Sequence, residues 1–393
     1  MAIIKLIKST FYKEKEIKKK LCEFIMNSSQ LSIGKECRKF EEKFAKWQKR
    51  KYCVMVNSGS SANLAIIQAL LNLGRLRKGD CVGFSAVTWS TNIMPLIQLG
   101  LKVIPIDIEI DTLNVSSNKL IEKLNKYPVK MLFLTNLLGF CDDIDKIKEI
   151  CDKKGIILIE DNCESLGTVY KGRKLGNFGV ASTISFYVGH HLSTIEGGAI
   201  CTDDEELETM LQIVRAHGWD RHLTKQKQLK IRVKHNVNST FYSRYTFYDL
   251  GYNLRTTEIN GFIGNAQMKY IDEIINKRKN NFLRIAASIY KNTSMYYPIK
   301  YDHIDLISNF AVPVICRSQK IRNELVEKCK DKIEIRPIVG GDMVLQPFFK
   351  KYVNNFVGEN KNAKIVHEQG LYFGNNPELT EEEIDKIIKI FTT

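Results

Sequence analysis

The stretch that decides the fold runs SFYVGHHLSTIEGGAI, residues 185–200. It opens inside an apolar segment, 183–187, that reads as a strand, and it ends inside a second, 199–202. Between them stand a histidine pair, His190-His191, and the turn Glu196-Gly197-Gly198. An imidazole titrates near ~6.5, so a histidine here can take and return a proton near neutral pH. Neighbouring side chains on extended backbone point in opposite directions, so the two rings need not share a site. Adjacent histidines lack the i, i+4 spacing of a helical metal pair and no third ligand is evident, so no metal is expected. Ser185, five residues before His190, offers a hydroxyl suited to a phosphate.

Outward from this stretch, short apolar strands at 52–56, 81–84, 102–106, 130–135 and 155–159 alternate with helical patterns at 60–72, 90–99, 115–126 and 143–154. Such alternation predicts an α/β fold, a mostly parallel sheet flanked by helices. Residues 1–50 read as helices, with Phe40, Phe44 and Trp47 at helical spacing. After a helix at 204–216, residues 217–250 form a polar, aromatic-rich stretch whose length suggests a functional loop. A long helix is expected over 256–290, then strands at 310–315 and 332–337 and helices at 319–329 and 380–391. A chain of 393 residues suits this division: a large domain, 1–280, and a smaller C-terminal α/β lobe, 281–393.

Three further motifs carry chemistry. Asn57-Ser58-Gly59-Ser60-Ser61 follows a strand and opens a helix, where the N–H groups of Ser60 and Ser61 can hold a phosphate; the same residues also read as a plain helix cap. Glu160-Asp161-Asn162-Cys163-Glu164 follows the strand at 155–159, and a carboxylate there projects into a crevice or simply meets solvent. Trp89 follows the strand at 81–84 and suits either stacking on a flat ring or packing in the core.

Composition narrows the class. The ten cysteines form no C-x-C or C-x-x-C pair and sit largely in apolar runs, as small hydrophobes do in a reduced protein. The net charge of +15 comes from lysines spread along helix faces and mixed with acids, without a basic stripe interleaved with aromatics. Nucleic acid is therefore not an expected partner, although a positive field favours an anionic substrate. No apolar run reaches the ~20 residues that span a bilayer, and no signal peptide precedes the first helix pattern, so no membrane is expected and the location reads as cytoplasmic.

FEEKFAKW (40–47), VNSGSSAN (56–63), AVTWSTN (86–92), LIEDNCESLG (158–167), the opening stretch and GYNLRTTEINGFIGNAQ (251–267) occur in one order and cover most of the chain. Together they resemble the DegT/DnrJ/StrS sugar aminotransferase family, whose fold is the fold-type I pyridoxal phosphate (PLP) transferase. The resemblance implies that Asp161 partners the pyridinium nitrogen, Trp89 stacks on the ring, and Ser60, Ser61 and Ser185 meet the phosphate. It implies that Glu164 lies near the cofactor hydroxyl and that Asn253 and Arg255 reach a neighbouring subunit's site in a homodimer with shared active sites.

One position departs. The family carries its Schiff-base lysine six residues before E-G-G, and this chain has His190 there. An imidazole forms no stable aldimine, so the cofactor, PLP or pyridoxamine phosphate (PMP), is expected to bind non-covalently. Histidine at this place resembles the family's 3-dehydratases of nucleotide-linked 4-keto-6-deoxy sugars. The type with an iron-sulfur cluster uses a C-x-C, absent here, so no cluster is expected. RAHGWDR (215–221) and IEIRPI (333–338) resemble the branch acting on a GDP-sugar, hexose or heptose. His217, Arg221, Glu334 and Arg336, together with Arg255, become candidate substrate contacts, and Gly341-Asp342 departs slightly from that branch. The implied reaction uses L-glutamate to form PMP. His190 then removes the C4′ proton, and its imidazolium assists departure of the C3 hydroxyl. A 3-deoxy-4-keto sugar, ammonia and 2-oxoglutarate are released. Two rivals share these residues: an aminotransferase with unattached PLP, and a non-catalytic binding or regulatory protein on the same scaffold.

Overall fold

The computed structural model describes residues 3–353 and 358–393. Two helices, α1 (Glu14–Asn27) and α2 (Lys35–Gln48), lead into β1 (Tyr52–Val56) and α3 (Gly59–Asn72). Then follow β2 (Cys81–Ser85), α4 (Met94–Gln98), β3 (Lys102–Ile106), α5 (Ser117–Leu124), β4 (Val129–Thr135), α6 (Ile144–Lys154) and β5 (Ile157–Asp161). A small ribbon, β6 (Val169–Tyr170) with β7 (Arg173–Lys174), precedes the antiparallel pair β8 (Ala181–Ser185) and β9 (Gly198–Thr202).

These strands, the ribbon aside, form one seven-stranded sheet in the order β1-β9-β8-β5-β4-β2-β3. β3, β2, β4, β5 and β8 run parallel, and β9 runs against both β8 and β1. β4 shows why such a strand needs helices on both sides. Its alternate residues Leu132 and Leu134 enter one core, while Met131 and Phe133 enter the other. The second core includes Ile66, Ile67 and Leu70 of α3, which the N-cap Ser58 starts by accepting the Ser61 N–H at 3.0 Å.

The chain continues through α7 (Glu205–Arg215), α8 (Lys225–Lys234), α9 (Glu258–Gln267) and α10 (Ile271–Ile289). A second, three-stranded sheet then follows, order β10-β12-β11, built from β10 (Ala311–Ile315), β11 (Ile335–Pro337) and β12 (Gly370–Gly374). α11 (Gln319–Cys329), α12 (Pro347–Tyr352), α13 (Lys361–Gln369) and α14 (Glu381–Thr392) belong to the same part of the chain. Val312, Val314 and Phe373 of this sheet share a core with Leu132 and Leu134 of the first, through Phe282 and Ile285 of α10. Among the described residues no helix is long and apolar enough to cross a membrane.

The ribbon β6–β7 and the helices α12 and α13 were not assigned from sequence, and three further elements differ from the sequence reading for identifiable reasons. The stretch 217–250 holds a helix, α8, with no buried residue. It offers no apolar period to read, and it is held instead by the Thr224 cap and by ion pairs of Lys227 with Glu208 and of Arg232 with Asp220. The helix expected over 256–290 breaks at Met268–Tyr270. No proline or glycine marks that break; Gln267 there is bonded through its side chain to both backbone groups of Tyr12. β12, unassigned from sequence, is a five-residue strand between two glycines, too short to carry a period of its own.

α2 packs its aromatic face beneath the β8–β9 pair, with the Phe40 ring centroid 5.2 Å from Phe186 and 5.6 Å from Phe44. Phe40 is fully buried, and any side chain at Gly264 of α9 would collide with its ring. Phe40→Ala should cost about 3–5 kcal/mol, read as a lower urea midpoint at unchanged slope.

Candidate active site

The β8–β9 pair delivers the site. Ser185 ends β8 opposite Gly198, the first residue of β9. A Cβ on Gly198 would stand 2.3 Å from the backbone carbonyl of Ser58, so only glycine lets β9 lie against the start of α3. A Cβ on Gly59 would stand 2.8 Å from that of Ser185. The start of α3 is thereby seated against the ends of β8 and β5, where a cavity of about 360 Å³ opens.

Ser60, Trp89, Asp161, Glu164, Ser185 and His190 all line this cavity. Asp161, the last residue of β5, is buried and held on both oxygens. Asn63 and Asn92 donate to its Oδ2 at 3.1 and 2.7 Å, and the Cys163 N–H donates to Oδ1 at 2.9 Å. Trp89 is 53% exposed, so it flanks the cavity as a free aromatic face and is not a core residue. Ser61 turns inward to Ser58, whose Oγ accepts its N–H and lies 3.0 Å from its Oγ.

His190 sits on the loop between β8 and β9, its ring 5.0 Å from that of Phe310 and 6.2 Å from that of Tyr187. Burial among these groups pushes its pKa down to about 4, a backbone hydrogen bond at Cys163 and the Asp161 charge opposing the fall. The ring is therefore neutral at pH 7, and once protonated it is a stronger acid than an ordinary imidazolium. His191 is buried beside it, its basicity also lowered, first by burial and then by the charge of Arg278. Glu164 moves the other way. Burial pushes its carboxyl up to about 8, against a hydrogen bond from the Leu138 N–H at 2.9 Å. At neutral pH the cavity wall therefore holds both a neutral base and a protonated acid.

The remaining candidates lie outside this cavity in a single chain. Arg255 donates to Asn253 at 2.9 Å, and its guanidinium lies 5.7 Å over Trp219. Arg221 lies 4.2 Å over the same indole, with the His217 ring 5.0 Å away. Exposed Tyr245 and Phe247 pack against the same indole. Glu334 pairs with Arg336 and accepts the Leu6 N–H at 2.9 Å, and Leu6 itself lines the cavity. Sequence reasoning missed Leu6, Phe310, Tyr372 and Val339 as cavity walls and Asn63 and Asn92 as the clamps on Asp161. The asparagines were legible, since both fall within quoted motifs. The apolar walls come from distant segments and carry no local signal.

A profile described as the DegT/DnrJ/EryC1/StrS aminotransferase family matches residues 12–392. The chain belongs to this family. It is 35% identical over 387 residues to a GDP-4-keto-6-deoxy-D-mannose 3-dehydratase of Escherichia coli O55:H7, covering 95% of this chain and 96% of that one. Among solved structures, the E. coli GDP-4-keto-6-deoxy-D-mannose-3-dehydratase with bound hydrated PLP superposes with a TM-score of 0.88 at 33% identity, over 100% of both chains. A GDP-4-keto-6-deoxymannose-3-dehydratase with a trapped PLP-glutamate geminal diamine gives 0.87 at 34%, over 99% of this chain and 100% of that one.

The Glu164 carboxyl holds its proton more tightly folded than unfolded. Its contribution to stability is complete below the ordinary carboxylate range and is lost as pH rises toward about 8. Glu164→Gln removes that loss. Its urea midpoint, compared with the native protein's at matched pH, should gain steadily between pH 5 and pH 8.5.

Proposed function

We propose that the protein is a PLP/PMP-dependent C3 dehydratase of a nucleotide-linked 4-keto-6-deoxy sugar, with a GDP-sugar favoured and L-glutamate as the amino donor. The products are the 3-deoxy-4-keto sugar, ammonia and 2-oxoglutarate. The observation that carries this reading is His190, a neutral imidazole on the wall of the cavity where the family's aminotransferases carry their lysine.

The residues present fit the cofactor. Gly59 and Gly198 leave a bare helix start with Ser60 and Ser185 beside it, a cradle that a Cβ at either glycine would fill. Asp161, fixed by Asn63 and Asn92, offers a carboxylate to a protonated ring nitrogen, and Trp89 offers an aromatic face. PLP, when bound, supplies an electron sink and an amino-group carrier. The protein's part is proton traffic. His190, neutral at pH 7, takes a proton at the cofactor carbon C4′ and, as imidazolium, gives it to the departing C3 hydroxyl. Its lowered basicity makes that second step favourable, since hydroxide leaves poorly without a proton. Glu164, kept protonated by burial, is suited to donate a hydrogen bond beside the cofactor hydroxyl.

The reading includes a homodimer. Asn253, Arg255, His217 and Arg221 cluster under exposed aromatic side chains away from the chain's own cavity, an arrangement that suits reaching a second copy's substrate. Glu334 and Arg336, at the Leu6 rim, suit the nucleotide end. The reaction belongs in the cytoplasm, with both co-substrates.

Incubation with PLP, L-glutamate and GDP-4-keto-6-deoxymannose should release ammonia with a sugar lighter by one oxygen. His190→Asn should lower ammonia release at least ~100-fold. An amino sugar formed without ammonia would establish an aminotransferase instead.

A further inference from the structure

Arg278, on α10, is buried, yet among the described residues its guanidinium meets no carboxylate within ion-pair distance. It spends its donors on backbone. Nη2 donates to the His190 carbonyl at 3.1 Å, and Nη1 donates to the carbonyls of Phe310, at 3.4 Å, and of Asn375. Nε has no partner. The grip is returned: Asn375 donates to the Arg278 carbonyl at 2.9 Å and to the Asn309 side chain at 2.7 Å. One side chain thus joins the His190 loop to the start of β10 and the end of β12. Phe310, on the second of these segments, is also the ring packed against His190.

A buried cation normally has an anion beside it, because an unpaired one is costly. Replacing the carboxylate by carbonyl dipoles leaves the positive charge uncancelled next to two imidazoles. Burial lowers the guanidinium's own pKa only to about 9, so it stays charged at neutral pH. Its charge opposes protonation of both histidines. The other groups facing His190 are Asp161 at the end of β5, Cys163 and Glu164 just after it, Tyr187, His191 and Glu196 from its own loop, and Tyr372 from β12. Of these, Asp161 and a backbone hydrogen bond at Cys163 favour imidazolium, whereas Arg278 disfavours it.

We propose that Arg278 is a positioning residue for His190: its guanidinium fixes the His190 backbone against Phe310 and places an uncompensated positive charge beside the imidazole. The proposal rests on His190 as the proton carrier. Its consequence is specific, because a base displaced by about 1 Å loses ~100-fold in rate.

The test uses the full-length protein with Arg278→Met, which removes charge and donors, and Arg278→Lys, which keeps charge and loses the fork. Histidine-labelled protein without cofactor is titrated by NMR, with His190→Asn identifying the His190 signal. In parallel, ammonia release with PLP, L-glutamate and GDP-4-keto-6-deoxymannose is followed across pH. Arg278→Met should titrate His190 at higher pH than the native protein and lower kcat by about 100-fold at unchanged KM for glutamate. Arg278→Lys should keep the native titration and recover only part of kcat. Native titration and a native pH profile in Arg278→Met would overturn the proposal. If that variant does not fold, Arg278→Lys decides: a native kcat would show that the fork is dispensable and overturn it equally. Should His190→Asn release ammonia at the native rate, the reading of His190 as the base fails, while the titration still reports whether the Arg278 charge acts on the imidazole.

Discussion

The close approach of β9 to the start of α3 is the constraint on which the site depends. Gly198 lies so near the Ser58 carbonyl that no side chain fits, and Gly59 is as tight against Ser185. Two glycines without side chains therefore bring a helix N-terminus, the end of β8 and the end of β5 to one point. The helix start favours an anion, and Asp161 stands across from it at a strand end, held by two amides. His190 follows from the same geometry, because its loop must span from Ser185 back to Gly198. A larger residue at either glycine would move all of these groups together.

Burial then sets the chemistry. One environment lowers His190 and raises Glu164, so that at neutral pH the base is free of its proton and the acid keeps it. Arg278 adds charge without a counterion among the described residues, and its hydrogen bonds to three carbonyls tie the second sheet to the loop that carries the base. The smaller sheet therefore does more than cover the cavity. Phe310 before β10 and Tyr372 in β12 supply the apolar wall that excludes water from the imidazole.

Much of this was legible in the sequence, for physical reasons. Buried parallel strands such as β4 are continuous apolar runs with turn residues around them, and each strand of the large sheet was found within about two residues. Asp161 could be placed because strand ends are where side chains enter a crevice, and Ser185 through its spacing from His190 and the family resemblance. α8 was not legible, since a helix held by Lys227–Glu208 and Arg232–Asp220 has no apolar face to show. Leu6, Phe310 and Tyr372 were hidden because a wall built from three distant segments exists only after folding. Arg278 reads in sequence as one more cation on a lysine-rich helix, and only its carbonyl partners distinguish it.

The central claim is that His190 moves the proton. It is tested most directly with PMP deuterated at C4′, supplied with the nucleotide-linked 4-keto sugar to the native protein and to His190→Asn. The account predicts that the native protein releases deuterium to solvent as the 3-deoxy sugar forms, and that the variant retains the label while still binding the cofactor. Release of the label by His190→Asn at the native rate would contradict it and move the base elsewhere in the cavity.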